Sequence, residues 1–310
     1  MSPQHAGHAA DTDHEIEDHD RGLEFDLQTL SRRSALAFLG TGLLAVAGCS
    51  TAAKVTSAAS GTATSSASGS STATSSTAAS SAAGTSTAQS SAASSTPSAA
   101  QSYTEIPDET AGPYPGDGSN GPNALSQSGI VRSDIRSSFG SSTTTAKGVP
   151  LTVRLTLRDA ANGYQVLKGA AVYLWHCNID GEYSMYSQNV SDENYLRGVQ
   201  ASDANGQVTF TTIFPAAYSG RWPHIHFEVY SSLANATAAG KIVATSQLAL
   251  PEEACAKVYA TSGYEQSVQN LARTSLTSDM VFGDDGGIHQ LATMSGAVSS
   301  GYTASLTVAV

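Results

Sequence analysis

From residue 150 onward the chain alternates apolar and polar positions in short runs broken by turn signals. Residues 151–157 (LTVRLTL) set an apolar side chain at every second position, the period of a strand with one buried face. Asn162 and Gly163 then mark a tight turn. Residues 171–176 (AVYLWH) are apolar almost without interruption, which suits a strand covered on both faces. Residues 207–214 (QVTFTTIF) resume the alternation just after Asn205 and Gly206, and 224–230, 241–248 and 304–310 read as further strands. Only 251–260, opened by Pro251, and 267–274 read as helices, both short. Closely spaced strands with so few helices predict a mainly β domain: a β-sandwich with a few short helices and long loops.

Upstream of residue 103 that patterning is missing. Of the fifty residues 51–100, all but seven are Ser, Thr or Ala, and none of the twelve tyrosines precedes Tyr103. Such a stretch cannot bury enough apolar surface to offset the entropy of ordering it. Residues 49–102 are therefore read as a disordered tether, with a reach of ~40 Å as a flexible chain. Ahead of it, Arg32 and Arg33 precede a short apolar run that ends at Ala47, Gly48 and Cys49. The paired arginines resemble a twin-arginine export signal. Residues 46–49 (VAGC) resemble a bacterial lipobox, with Cys49 as the lipidated residue. The expected organisation is a signal segment at 1–48, a tether at 49–102 and a folded domain at 103–310, exported and lipid-anchored at the bacterial cell surface.

Charge narrows the partners. The net charge is −11, and residues 103–310 carry 11 Lys/Arg against 18 Asp/Glu with no basic cluster. The electrostatic footprint of a nucleic-acid partner is therefore missing. No apolar run reaches the ~18 residues of a membrane span, so membrane contact is expected only through the lipid.

Beyond the signal segment four histidines remain: His176, His224, His226 and His289. His224 and His226 are one residue apart on a predicted strand, so both imidazoles leave the same face and can reach one metal ion. Taken alone, such a pair on a strand is more often a pair of surface or core histidines. Tyr218 lies six residues ahead of His224, and Tyr183 thirty-five ahead of Tyr218. Two phenols and two imidazoles make a mixed oxygen–nitrogen donor set that suits Fe(III). A competing triad of His224, His226 and Glu228 would suit Fe(II), but it leaves Tyr183, Tyr218 and Arg221 without a role. His176 is read as a core histidine, and His289, Asp284 and Asp285 as surface residues. Cys177 and Cys255 can pair in an exported protein or remain two buried thiols.

These residues belong to longer motifs. LWHCN (174–178), GEYS (181–184), LRG (196–198), DANG (203–206) and RWPHIH (221–226) follow TAGPYP (110–115) and RSDIR (132–136). Over about residues 105–250 the chain thereby resembles the intradiol ring-cleavage dioxygenase family. The resemblance implies non-haem Fe(III) held by Tyr183, Tyr218, His224 and His226, with Tyr183 the ligand that a bound diol displaces. It implies catalytic roles for Arg221, which stabilises negative charge on the ring, and for Gln247. It also implies that Tyr114 contacts the substrate. The implied partners are a small aromatic diol and O2, and the ring opens between the two hydroxyl-bearing carbons to a cis,cis-muconate-type dicarboxylate. Catechol, hydroxyquinol, protocatechuate and lignin-derived catechols stay open as substrates, as does the oligomeric state. The alternative from another class is a tethered, non-catalytic β-sandwich that binds partners at the cell surface.

Overall fold

β1 (Pro150–Asp159) follows the expected alternation, with Leu151, Val153, Leu155 and Leu157 buried and Arg154 exposed. It lies within the computed structural model, which describes residues 103–310. On one side β1 pairs antiparallel with β5 (Gln207–Ile213) and with the two-residue β2 (Gln165–Val166). It also runs parallel to β9 (Gly301–Ala309), which pairs in turn with β8 (Thr293–Ala297). The second sheet is antiparallel throughout, in the order β4 (Arg197–Ala201), β3 (Ala171–Trp175), β6 (His224–Tyr230), β7 (Ile242–Ala249). Among the described residues, three short α-helices, α1 (Leu233–Thr237), α2 (Glu252–Tyr259) and α3 (Glu265–Leu271), complete a mainly β fold.

Strand parity divides the second sheet's side chains between two environments. Val172, Leu174, Ile225, Phe227, Val229 and Leu248 join Val153, Leu155, Phe210 and Ala304 in the core shared with the first sheet. Ala171, Tyr173, Trp175 and Tyr230 point the other way, into a second cluster with Tyr114, Leu125, Tyr183 and Tyr218. His224 and His226 have the parity of Tyr230, so they too leave the outer face. The chain before β1 and the loop after β3 cover that face.

Several elements lie outside the sequence-based expectation. β4 has Arg197 and Gly198 where a strand pattern would show apolar residues; it forms because β3 offers it a ladder from Ala171↔Ala201 to Trp175↔Arg197. β8 carries little apolar surface and exists as the antiparallel partner of β9. Residues 231–240, between two expected strands, contain α1, whose Asn235 N–H donates to Ser232 Oγ at 3.2 Å. The helix expected at 267–274 begins earlier, at Glu265.

Cys177 and Cys255 are separate buried thiols, and burial pushes Cys177 up to about 12. No helix among the described residues is long and apolar enough to cross a membrane. The signal segment, the tether and the lipidation at Cys49 lie outside the described residues.

A β-carbon on Gly198 would stand 2.4 Å from Ile135 Cγ2 and 3.2 Å from Arg132 O. Gly198→Ala is therefore expected to cost about 1–3 kcal/mol through overpacking. Chemical denaturation that showed no loss would contradict this packing.

Candidate active site

β6 brings the two histidines together. His224 Nε2 and His226 Nε2 are 3.1 Å apart, and the His226 ring stacks on Trp175 from β3 at 4.9 Å and 6°. His224 Nδ1 lies 2.5 Å from Trp222 O, a carbonyl that can only accept. Nδ1 therefore carries the proton, and Nε2 presents a lone pair to the site. The Tyr218 hydroxyl lies 3.1 Å from that Nε2 and 3.5 Å from the Tyr183 hydroxyl. All four side chains are buried.

Tyr183 is set by a tightly bonded loop. Asn178 Oδ1 accepts the N–H groups of Asp180 and Glu182, both at 2.9 Å, and Tyr183 N–H donates to Ser187 Oγ at 3.0 Å. Met185 and Leu196 take φ values of 70° and 58°, a region costing non-glycine residues about 1–3 kcal/mol each. Next to Leu196 in the chain is Arg197, fully buried, whose guanidinium donates to Ser184 O and Ser184 Oγ, to Tyr114 O and Pro115 O, and to the Tyr173 hydroxyl. One cation thus ties the Tyr183 loop to the segment carrying Tyr114. The Tyr114 ring lies 5.1 Å from that of Tyr183, and Gly112 passes so close to His226 that a β-carbon would stand 3.3 Å from Cε1.

Arg221 lies in the loop that also carries Tyr218. Its Nε donates to Asp279 Oδ2 at 3.0 Å, and its Nη2 to Gln247 Oε1 at 2.6 Å. Asp279 also accepts the N–H groups of Trp222, Val281 and Phe282, so the carboxylate is fixed before it meets the guanidinium. Gln247 stands opposite His226 in the β6–β7 ladder and donates to Thr110 O at 2.9 Å.

Electrostatics follow from this burial. Loss of solvent, then the charge of Arg221 or of the other histidine, holds His224 and His226 well below the usual histidine range. Both rings are neutral donors. Burial, reinforced by Tyr218, holds the Tyr183 phenol well above its ordinary value, so it keeps its proton until a cation is at hand. Two neutral imidazoles and two phenols converging in a buried site fit a ferric ion, which takes imidazole nitrogen and stabilises phenolate oxygen.

The structure brings together Tyr183, Tyr218, His224, His226, Arg221 and Gln247, with Tyr114 against Tyr183. It does not assemble the competing triad. Glu228 accepts the Tyr230 hydroxyl at 2.7 Å, and among the described residues no group of three or more His, Cys, Asp and Glu is arranged to hold a metal ion. His176 bonds Cys177 O and Thr212 Oγ1, and burial pushes it down to about 4, the signature of a core histidine. Asp279 was not signalled by the sequence, since no motif links it to an arginine 58 positions earlier. Arg197 sits in the LRG motif, which by itself signals no role for it.

Residues 121–226 match the family model described as Dioxygenase. The matched span includes Tyr183, Tyr218, Arg221, His224 and His226. Among solved structures, the intradiol ring-cleavage dioxygenase from Tetranychus urticae is similar at 27% identity and TM-score 0.53, over 66% of this chain and 94% of that one. The dioxygenase domain of a carbohydrate-binding fusion from Streptomyces sp. SirexAA-E aligns at 22% identity and TM-score 0.42, over 67% of this chain and 98% of that one. Catechol 1,2-dioxygenase from Acinetobacter sp. ADP1 aligns at 18% identity and TM-score 0.41, over 66% and 62%. The dioxygenase match and the first of these structures agree with the resemblance carried by the motifs.

Proposed function

We propose that this chain is a non-haem Fe(III) intradiol dioxygenase, cleaving catechol-type rings between the two hydroxyl-bearing carbons to cis,cis-muconate-type dicarboxylates. The observation that carries this reading is the buried convergence of Tyr183, Tyr218, His224 and His226 beside Arg221. These four side chains would hold the metal, which when bound supplies a Lewis acid and a template for the two diol oxygens. Tyr183 is the group suited to take a diol proton, because burial favours its neutral form. Arg221, held by Asp279 and Gln247, offers fixed positive charge for the electron-rich ring. Tyr114 borders the substrate through its ring. Both atoms of O2 enter the product. The features of residues 1–102 support a catalytic domain at 103–310 that is exported and lipid-anchored at Cys49.

The test is the visible spectrum of the iron-loaded protein before and after anaerobic addition of catechol, followed by O2 and product identification. A broad tyrosinate-to-iron band that shifts with catechol, then a muconate product, is expected. A colourless protein that holds no iron would favour the non-catalytic binding module. Tyr183→Phe is expected to lower turnover ~10²–10⁴-fold, the range for losing a positioned proton acceptor. Turnover near wild type would remove Tyr183 from the ligand set.

A further inference from the structure

The loop that carries Tyr183 also carries Tyr186, a half-buried residue outside the donor set. Its hydroxyl sits inside the turn that follows Tyr114. It accepts the Gly116 N–H at 2.8 Å and donates to Asn120 O at 3.0 Å, so both limbs of the turn close on one phenol oxygen. Asn120 in turn donates from Nδ2 to Pro113 O at 2.5 Å. Burial raises the Tyr186 phenol above its ordinary value, which keeps the proton it donates.

The ring of Tyr186 is committed as well. It lies 5.2 Å from the ring of Tyr114, which itself lies 5.1 Å from that of Tyr183. Tyr186 N–H donates to Tyr183 O at 3.2 Å, so both tyrosines belong to one tight turn. The turn that the hydroxyl grips has little else to hold it. Residues 117–121 (DGSNG) carry no apolar side chain, and 118–121 are exposed, so polar ties and not packing decide where they lie. Arg197 fixes the backbone at Tyr114 and Pro115, and Tyr186 fixes it further along, at Gly116 and Asn120.

We propose that Tyr186 is a positioning residue for substrate binding: by clasping the turn at Gly116 and Asn120, its hydroxyl seats Tyr114 against Tyr183. The inference rests on the intradiol reading above, in which Tyr114 borders the diol. The role is indirect, exerted through Tyr114. Without the hydroxyl the turn is free to take other conformations, and each diol that binds must order it again. The cost therefore falls on substrate affinity. The donor side chains keep their places, because His224 and His226 hang from β6 and Tyr183 is set by Asn178 and Ser187.

The test is Tyr186→Phe in the full-length protein, which keeps the ring and removes only the hydroxyl. In the metal-free protein, amide hydrogen exchange is expected to quicken in the peptide that contains Gly116 and to stay at the wild-type rate across residues 183–187. Iron-loaded, the variant is expected to show the wild-type visible band. Anaerobic titration is expected to give a Kd for catechol ~3–10-fold higher, the scale of a lost hydrogen bond. In steady state the loss falls more on KM than on kcat. An unchanged Kd overturns the inference even if the melting temperature drops, because the hydroxyl then serves stability alone. A shifted resting band also overturns it, since Tyr186 would then act through the Tyr183 ligand. Unchanged exchange at Gly116 removes the clasp. All three leave the intradiol reading in place. A wild-type protein with no iron band, or with a band that ignores catechol, loses that reading and this inference with it.

Discussion

His226→Ala is expected to yield a folded protein that purifies colourless, holds no ferric iron and opens no catechol ring. The expectation comes from geometry. His226 Nε2 stands 3.1 Å from His224 Nε2, and the Tyr218 hydroxyl lies 3.1 Å from that same atom, so removing one imidazole opens the donor set at its centre. The remaining phenols do not compensate, because burial keeps Tyr183 protonated without a strong cation nearby. Metal analysis and the visible spectrum check the loss, and thermal unfolding separates it from collapse of the domain. The ring also stacks on Trp175, so a modest drop in stability accompanies the change. A coloured, active His226→Ala protein would show that iron is held elsewhere.

The largest effect on stability is expected at Arg197. Arg197→Met keeps much of the side-chain volume but strands the carbonyls of Tyr114, Pro115 and Ser184, together with Ser184 Oγ and the Tyr173 hydroxyl. Buried acceptors left without donors, after removal of a fully buried charged partner, cost about 3–5 kcal/mol. For a domain of this size that lowers the melting temperature by about 10 °C. Arg197→Lys supplies three donors from one point instead of five from a planar fork, so it recovers only part of the loss. Guanidinium unfolding of the three proteins would order them wild type, Lys, Met. A Met variant as stable as wild type would mean that the carbonyls find other donors.

Strand patterning was legible where one face is apolar and the other polar, as in β1, or where both faces are covered, as in β3 and β6. It failed at β4 because a buried arginine and a glycine do not register as strand signals, although both are needed where the chain meets Ile135 and Ser184. The two-residue period carried the site reading too: His224 and His226 had to share a face, and their nitrogens meet. Arg221 and Gln247 came from the motif resemblance, and the structure joins them by a 2.6 Å hydrogen bond. Asp279 was illegible for another reason. It meets Arg221 from 58 positions away, and no local periodicity encodes such a meeting.

The covering segment also touches the far end of the chain. Ile106 N–H donates to Ala309 O at 2.9 Å, and Glu105 forms a bridge with the same residue. The seat of this segment is therefore a strand that follows β3, β6 and β7 in the chain. Until β9 emerges and joins β1, residues 105–116 lack part of their docking edge, while β3, β6 and β7 are already synthesised. The cover over the donor side chains therefore gains this edge only after the strand that carries the two histidines has been made.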